Sequence, residues 1–458
     1  MKRNPGAATT LRGWSALRES IAFSQDPLNM VTRWAQNYGD AVFLEVGPVV
    51  YGLLSHPDDI ASVLAQNDRH CIKDISYRVL KRVFGNGLLL SEGNVWKRHR
   101  RLMQPAFSGE RIAQYAETTV DATVRMLDRW AQSKTSGEPT DIYREMSRLT
   151  VQVVTRSLFG IDIENTATEI GESLDVIMRQ YMHQSEMLFL WPDWLPTPGN
   201  IKTRQATHRL KTIVKEIIEQ RRQAPGEDLL SKLLQARDDD GSGLSDSELH
   251  DQVMTLLLAG NDTTANALTW TLMLLAQHPE EESKLRAEID AIVGDRLPTL
   301  SDLSRMSVLG KVLNESMRLY PPAWIVGREL TDDYQIGEHS LKRGTVLYMS
   351  EWVVHRNARY FPEPEKFCPD RWNDQYEQQL PRCAYFPFGA GPHVCIGKSF
   401  ALMEAKLILV AILQRYRLSL VDEESIELLP SITLRPSSGV WVNLHPVKAV
   451  LSGTVSIS

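Results

Sequence analysis

One cysteine stands in a glycine-rich segment whose residue types suit a metal-binding thiolate. The segment reads FGAGPHVCIG over residues 388–397, and a helical pattern follows Cys395 from Ser399 to Tyr416. Glycines permit tight turns and close approach to a flat ligand. A cysteine at a helix N-terminus is stabilised as the thiolate by unpaired N–H groups, and a thiolate suits a soft metal. The alternative is a buried structural cysteine beside a glycine-rich turn.

A second group of polar residues interrupts the most apolar long stretch of the chain, Leu249 to Ala276. The interruption reads AGNDTT over residues 259–264, and Gly, Asn, Asp and Thr are all poor choices for a helix centre. Buried polar side chains cost stability unless they find partners. Thr hydroxyls that bond back to carbonyl groups also bend helices. The alternative is a buried polar patch whose members satisfy one another.

Two further motifs place polar groups on one helical face. Glu315-x-x-Arg318 pairs opposite charges just before Pro321 and Pro322, where the helix must stop. A solvated helix face is the alternative, because an exposed pair of this kind contributes little. Trp96-x-x-x-Arg100 brings an indole N–H and a guanidinium together, and an amphipathic surface helix is the alternative here.

The elements that must position these residues are mostly helical. Apolar periodicity predicts helices over 113–130, 210–222 and 249–277. Ser245-x-x-Glu248 is a capping box that starts the third helix, which runs to His278-Pro279. At 1.5 Å per residue this helix is roughly 50 Å long, and its apolar character predicts burial nearly all round. We expect it to be the spine of one large helical domain.

Strand patterns are short and lie towards the two ends of the chain. AVFLEV at 41–46 and VVYGLL at 49–54 have strand patterns and are separated by Gly47-Pro48. Similar patterns return at 334–350 and 432–444.

Composition excludes several classes of protein. The 458 residues are 43% apolar and 24% charged, as in ordinary globular proteins, and the net charge of -6 argues against binding to nucleic acid. The four cysteines form no C-x-x-C pair, so neither a disulfide framework nor a structural zinc site is expected, and a reducing cytosol fits best. The N-terminal segment is basic without an apolar run, so we expect a soluble protein with no signal peptide or transmembrane anchor.

In their order along the chain, these motifs resemble those of the cytochrome P450 family. The resemblance rests on F-x-x-G-x-[R/H]-x-C-x-G at 388–397, A-G-x-[D/E]-T-[T/S] at 259–264 and E-x-x-R at 315–318. P-x-x-F-x-P-x-R-[F/W] at 364–372 and W-x-x-x-R at 96–100 complete the set. The resemblance covers roughly residues 30 to 445 and implies the mainly α P450 fold with small β-sheets. One haem domain would then span 1–458, with a lead-in at 1–30, the long central helix at 245–278, and the haem-thiolate loop and its helix at 386–416.

The resemblance implies haem b as the cofactor and Cys395 as the axial ligand of the haem iron. Thr263 would hydrogen-bond O2 and Asp262 would relay protons, while Glu315, Arg318 and Arg371 would form a structural network. Many members carry arginine where this chain has His393, and histidine can still donate to a haem propionate. The remaining implied cofactor contacts are Trp96, Arg100, Arg328, His393, Phe388, Gly389, Gly397 and Ala259.

By the same resemblance, four regions line the substrate pocket: the loop 72–90, the helices around 178–190, the stretch 323–326 and the turn 436–439. The pocket residues named from them and from the central helix are Val79, Phe84, Leu88, Phe189, Ala259, Ala323, Trp324, Ile325 and Ser438. Their apolar character predicts a hydrophobic substrate such as a fatty acid or a terpenoid. Arg78, Lys81 and Arg82 could clamp a carboxylate, or they could simply be solvated.

The implied reaction is monooxygenation, in which one atom of O2 hydroxylates or epoxidises the substrate. No reductase module follows the cysteine helix, so two electrons would come from a separate ferredoxin or flavodoxin. Lys97, Arg98, Arg101, Arg382 and Lys398 would form its docking face, unless they are a scatter of solvated charges. We expect a monomer in a bacterial cytoplasm. The alternatives are a P450-fold isomerase or dehydratase that does not use O2, and a non-catalytic haem-binding sensor.

Overall fold

The computed structural model describes residues 9–65, 70–133, 138–163, 166–186, 195–237, 241, 243–336, 339–422 and 426–447. These residues form a mainly helical fold with small sheets, as the sequence predicts. The α-helices are α1 (Gly13–Gln25), α2 (Pro27–Tyr38), α3 (Pro57–Ala65), α4 (Ile75–Phe84), α5 (Gly93–Met103), α6 (Gly109–Ser133), α7 (Ile142–Leu158), α8 (Ala167–Glu186), α9 (Pro198–Gln223), α10 (Leu229–Gln235), α11 (Asp246–Gln277), α12 (Pro279–Ile292), α13 (Leu300–Leu303), α14 (Ser307–Leu319), α15 (Glu351–Val354), α16 (Asp374–Gln379) and α17 (Lys398–Arg415).

The strands are collected in one larger sheet and three small ones. They are β1 (Thr9–Leu11), β2 (Ala41–Val46), β3 (Val49–Leu54), β4 (Cys71–Lys73), β5 (Thr140–Asp141), β6 (Val326–Leu330), β7 (Tyr334–Ile336), β8 (His339–Leu341), β9 (Val346–Met349), β10 (Tyr416–Leu420), β11 (Leu428–Pro430), β12 (Leu434–Pro436) and β13 (Trp441–Pro446). The larger sheet has the order β1-β2-β3-β9-β6-β4. The others pair β10-β13-β5, β11-β12 and β7-β8.

The long helix α11 is the spine that the sequence predicts. Its capping box is present, because the Ser245 hydroxyl and the Glu248 carboxylate each accept a hydrogen bond from the other residue's backbone N–H. The helix ends at Gln277, before Pro279. It packs against α7, α14 and α17, and most of its residues are buried.

The helix that follows Cys395 anchors the glycine-rich segment to the core. α17 begins at Lys398 and packs along α6, and apolar residues from both helices join the largest buried cluster with residues of α7 and α11. The cysteine segment and the polar stretch of α11 are therefore mounted on two helices that contact each other.

One region of the fold differs from the sequence-based expectations. Residues 72–90, expected as a loop, contain the end of β4 and the whole of α4, which Asp74 caps by accepting a hydrogen bond from the Ser76 N–H. In the described part of the 1–30 lead-in, β1 pairs with β2 and α1 packs on α2. Within the described residues, no helix is both long and apolar enough to cross a membrane.

Candidate functional site

A cavity between α11 and the cysteine segment collects the residues that the motifs single out. Its wall contains Cys395 on one side and Thr263 of α11. Every residue expected to contact the cofactor lies in that wall. They are Cys395, Trp96, Arg100, Arg328, His393, Phe388, Gly389, Gly397 and Ala259.

The cysteine segment turns sharply so that its thiol opens on this cavity. Gly389 and Gly391 have φ of 70° and 72°, which other residues rarely adopt. The Cys395 N–H donates to the Phe388 carbonyl at 3.0 Å, which closes the loop. A Cβ at Gly397 would lie 3.9 Å from the Cys395 sulfur, so the backbone runs close beneath the thiol.

The thiol is accessible from the cavity but otherwise enclosed by protein. Burial raises the pKa of Cys395, whereas the Gly397 N–H and the positive charges of Arg100 and Lys398 act in the opposite direction. A bound metal ion would complete this stabilisation, because a coordinating thiol is deprotonated outright.

Cations and N–H donors line one edge of the cavity. Arg100 donates to the Val394 carbonyl at 2.8 Å and thereby joins α5 to the cysteine segment. The Trp96 indole stacks on the His393 ring with 3.8 Å between the ring centroids. Three of the expected carboxylate donors therefore lie together, although α5 is about 300 residues from His393 along the chain.

Two further residues of this edge, Lys73 and Tyr77, were not expected from the sequence. Lys73 of β4 lies directly opposite Arg328 of β6 in the antiparallel register, and both side chains are buried. The Lys73 ammonium donates to the Ser91 carbonyl. Tyr77 lines the same wall, where burial raises its pKa and the positive charge of Arg328 opposes that shift. The only sequence signal was the isolated lysine in a three-residue strand, CIK.

This donor set fits haem. Lys73 and Arg328 lie directly opposite each other in the sheet, are buried and both line the cavity, so negative charge bound at this edge would offset their mutual repulsion. The two haem propionates can supply that charge at the edge of the cavity. Apolar residues of α11 and the cysteine thiol suit the faces of the macrocycle and its iron.

The polar stretch of α11 finds most of its partners outside the helix. The Thr150 hydroxyl of α7 donates to the Asn261 side-chain oxygen at 2.6 Å. The Thr263 hydroxyl donates to the Ala259 carbonyl, four residues earlier, at 2.7 Å. Asn261 and Asp262 therefore find side-chain partners on other elements, whereas the Thr263 hydroxyl and the Asn266 amide, which donates to the Asp262 carbonyl at 2.7 Å, bond within the helix.

Asp262 is held by an ion pair that the sequence did not suggest. Arg435 of β12 donates to one of its carboxylate oxygens, and the Thr433 hydroxyl donates to the other. Arg435 is almost fully buried and also donates to Asp175 of α8 at 3.0 Å. Burial works against the charge on Arg435, but the Asp262 carboxylate raises its pKa. Asp262 is thus linked through one guanidinium to a partly exposed carboxylate.

Comparison with known proteins identifies the family to which the chain belongs. Residues 13–442 match the family described as Cytochrome P450. The chain belongs to the cytochrome P450 family. It is 36% identical over 406 residues to cyclooctatin synthase of Streptomyces melanosporofaciens, covering 87% of each chain. It is 37% identical over 386 residues to cyclooctat-9-en-7-ol 5-monooxygenase of the same organism, covering 83% of each. Pentalenene oxygenase of Streptomyces avermitilis is 32% identical over 432 residues, covering 92% of each.

This P450 is therefore a haem-b-dependent monooxygenase. It uses O2, a hydrophobic substrate and electrons from a redox partner, as the sequence resemblance implies.

The Glu315 network of the P450 is buried rather than solvated. Glu315 and Arg318 are fully buried, and Arg318 donates to both Glu315 oxygens, at 2.8 and 2.9 Å. Arg371 donates to Glu315 at 2.9 Å, and the Trp372 indole donates to it at 2.8 Å. The solvated-face alternative for this pair is therefore wrong.

His355 connects this network to the cysteine segment. Arg318 donates to the His355 carbonyl at 2.9 Å, and the His355 Nε2 accepts a hydrogen bond from the Phe386 N–H at 3.1 Å. Burial, together with the positive charges of Arg318 and Arg356, lowers the pKa of His355 well below its usual range. The ring is therefore neutral and can act as the acceptor for Phe386.

The expected substrate-pocket residues divide into two groups. Leu88, Ala259, Ala323 and Ile325 line the cavity. Phe189 lies outside the described residues.

Four other residues assigned to the pocket lie outside the described cavity wall. α4 turns Tyr77 and Leu80 towards the cavity, so Val79 is on another face and Phe84 packs in the main core. Trp324 donates to the Ser431 carbonyl at 2.6 Å and packs beneath the sheet. Ser438 is exposed, and Ile432 and Thr433 of the same region line the cavity instead.

Proposed function

We propose that this P450 hydroxylates or epoxidises a terpenoid-like hydrocarbon or alcohol. The observation that carries the proposal is the composition of the cavity wall. Its cations, Lys73, Arg100 and Arg328, all lie among the residues assigned to the haem carboxylates. The rest of the described wall is mainly apolar, which suits a substrate without a carboxylate. The substrates printed in the names of the relatives support the same class.

A carboxylate clamp for a fatty acid finds no support in the three basic residues considered for it. Arg78 donates to Glu329 at 2.6 Å, and its side chain is exposed. Lys81 and Arg82 are also exposed, and neither lines the cavity. Terpenoids are therefore favoured over fatty acids.

The positions of Cys395, Thr263 and Asp262 in the cavity wall support a role for each in the proposed reaction. Cys395 is the axial ligand of the haem iron, and bound haem supplies the activation of O2 and transfer of one oxygen atom to the substrate. Thr263 holds a proton at its hydroxyl on the α11 side of the cavity wall. Asp262 moves protons towards Thr263, and Arg435 positions the Asp262 carboxylate.

The electron donor is a separate ferredoxin or flavodoxin. Lys97, Arg101 and Lys398 are exposed near the cysteine segment, and Lys97 and Arg101 flank a shallow groove beside Arg100. Arg98 does not belong to this docking face, because it donates to Glu248 at 2.6 Å. We also propose that the protein is a monomer in a reducing cytoplasm, an environment that suits its four unpaired cysteines.

Substrate class is tested by adding terpene hydrocarbons, terpene alcohols and fatty acids to the purified ferric protein. We expect terpenoids to convert the haem from low spin to high spin and to yield products only with O2 and reductant. Leu88→Trp should weaken this binding by at least about tenfold, because the larger ring fills the cavity. Ser438→Trp is the matched control and should leave it unchanged, since Ser438 does not line the cavity.

Two results would contradict the proposal. A spin shift with fatty acids alone would show that the proposed terpenoid class is wrong. Product formation without O2 would instead favour the isomerase or dehydratase alternative.

A further inference from the structure

One buried acid in the cavity wall has no role in the reaction described above. Glu351 begins α15 and is 0% exposed. Neither of its carboxylate oxygens has a hydrogen-bond partner in the part of the chain that the structure describes. Glu404 of α17 is equally buried and equally unpartnered, but it does not line the cavity. Glu351 is therefore distinguished by its position beside the cofactor.

The surroundings of Glu351 join it to the haem-carboxylate edge. The positive charge of Arg328 acts on Glu351, although no ion pair joins the two among the described side chains. Burial raises the pKa of Glu351 well above its usual range, and Arg328 only partly opposes this. The titratable and charged groups that face Glu351 or share its wall are Arg328, Tyr77, Cys383, His355, Lys73, Arg100, His393, Asp262 and Cys395.

A buried carboxylic acid of this kind is stable only when it is neutral. An ionised carboxylate without hydrogen bonds would carry a large desolvation cost. The neutral form instead has an O–H that needs an acceptor. A haem carboxylate bound at Lys73 and Arg328 would be an acceptor of the right charge at this edge of the cavity.

We infer that Glu351 shares one proton with that haem carboxylate and binds it more tightly when the iron is ferrous. The inference rests on the proposed contact of Lys73 and Arg328 with the haem carboxylate. Reduction places one electron on the iron, and one proton from solvent joins the Glu351–carboxylate pair, so the net charge of the site does not change. The separate electron donor supplies the electron. Electron delivery is thereby coupled to pH through a residue other than Asp262.

The test is the pH dependence of the iron reduction potential in the haem-loaded protein, measured across about pH 5 to 9. We expect the ferrous state to hold the proton on the order of tenfold more tightly, which corresponds to a fall of about 59 mV with rising pH. Glu351→Gln should abolish this fall, because glutamine cannot titrate. Glu404→Gln is the matched control and should keep the wild-type slope. A flat wild-type profile, or a slope that persists in Glu351→Gln, would overturn the inference.

Haem release to apomyoglobin provides a second, independent readout. Glutamine keeps a hydrogen-bond donor at this position and leucine does not. We therefore expect Glu351→Leu to release haem several-fold faster than Glu351→Gln. Equal rates in both variants would mean that Glu351 makes no donating contact with the haem.

Failure of this inference can be told apart from failure of the proposed function. Potentials report only on haem-loaded molecules, so partial haem loss does not prevent the measurement. If Glu351→Gln retains the ferrous–CO spectrum and the substrate-induced spin shift but also the wild-type slope, only the role of Glu351 fails. If the wild-type protein holds no haem, the cofactor assignment itself fails.

Discussion

At the scale of single residues, the chemistry depends on one sulfur atom that the backbone presents to the cavity. We predict that Cys395→His will abolish the red-shifted Soret band of the ferrous–CO complex, because the band arises from thiolate ligation. Cys383→Ser is a matched control, since Cys383 is buried outside the cavity wall. An unchanged band in Cys395→His would mean that another residue is the ligand.

The residues predictable from the sequence are those whose motifs are local. Cys395, Thr263 and Glu315 each lie in a short pattern whose spacing carries the chemical meaning, and the structure places the first two in one cavity wall. The roles of Lys73, Glu351 and Arg435 could not be predicted, because no local sequence motif marks these residues. Each gains its environment from a partner far along the chain, such as Arg328 for Lys73 and Asp262 for Arg435.

At the scale of elements, helices that carry long apolar patterns were predictable and short ones were not. The hairpin strands β2 and β3 have the predicted bounds, and α11 begins at the predicted cap. α4 was read as a loop, although Asp74 at its N-cap was a usable signal. The rotation of that helix decides which side chains reach the cavity, and sequence alone did not fix it.

The polar break in α11 gives a prediction at this scale. We expect Thr263→Ala to lower the product formed per reductant consumed by several-fold while reductant oxidation continues, because the cavity then lacks its proton-holding hydroxyl. Thr269→Ala is the matched control. Thr269 bonds back to the Ala265 carbonyl at 2.7 Å, as Thr263 does to Ala259, but it lies outside the cavity wall. Full coupling in Thr263→Ala would contradict the role of Thr263 in proton delivery.

At the scale of the whole molecule, charge is distributed unevenly although the chain is acidic overall. The net charge is -6, yet exposed lysines and arginines lie on α5 and at the start of α17, beside the cysteine segment. This distribution favours an acidic electron donor that approaches the cysteine side, because complementary charge raises association rates. The long distance in sequence between α5 and α17 explains why composition alone could not reveal the surface.

Charge reversal tests this surface. We expect Lys97→Glu combined with Arg101→Glu to slow electron transfer from an acidic ferredoxin by at least about tenfold at low salt, and the loss should shrink as salt screens the charges. Lys211→Glu combined with Lys215→Glu makes the same change of charge on the exposed face of α9 and should have little effect. Stopped-flow reduction of the substrate-bound protein measures the rate, and the ferrous–CO spectrum checks that the site is intact. Equal slowing in both pairs of variants would show that net charge, rather than a docking face on α5, governs the encounter.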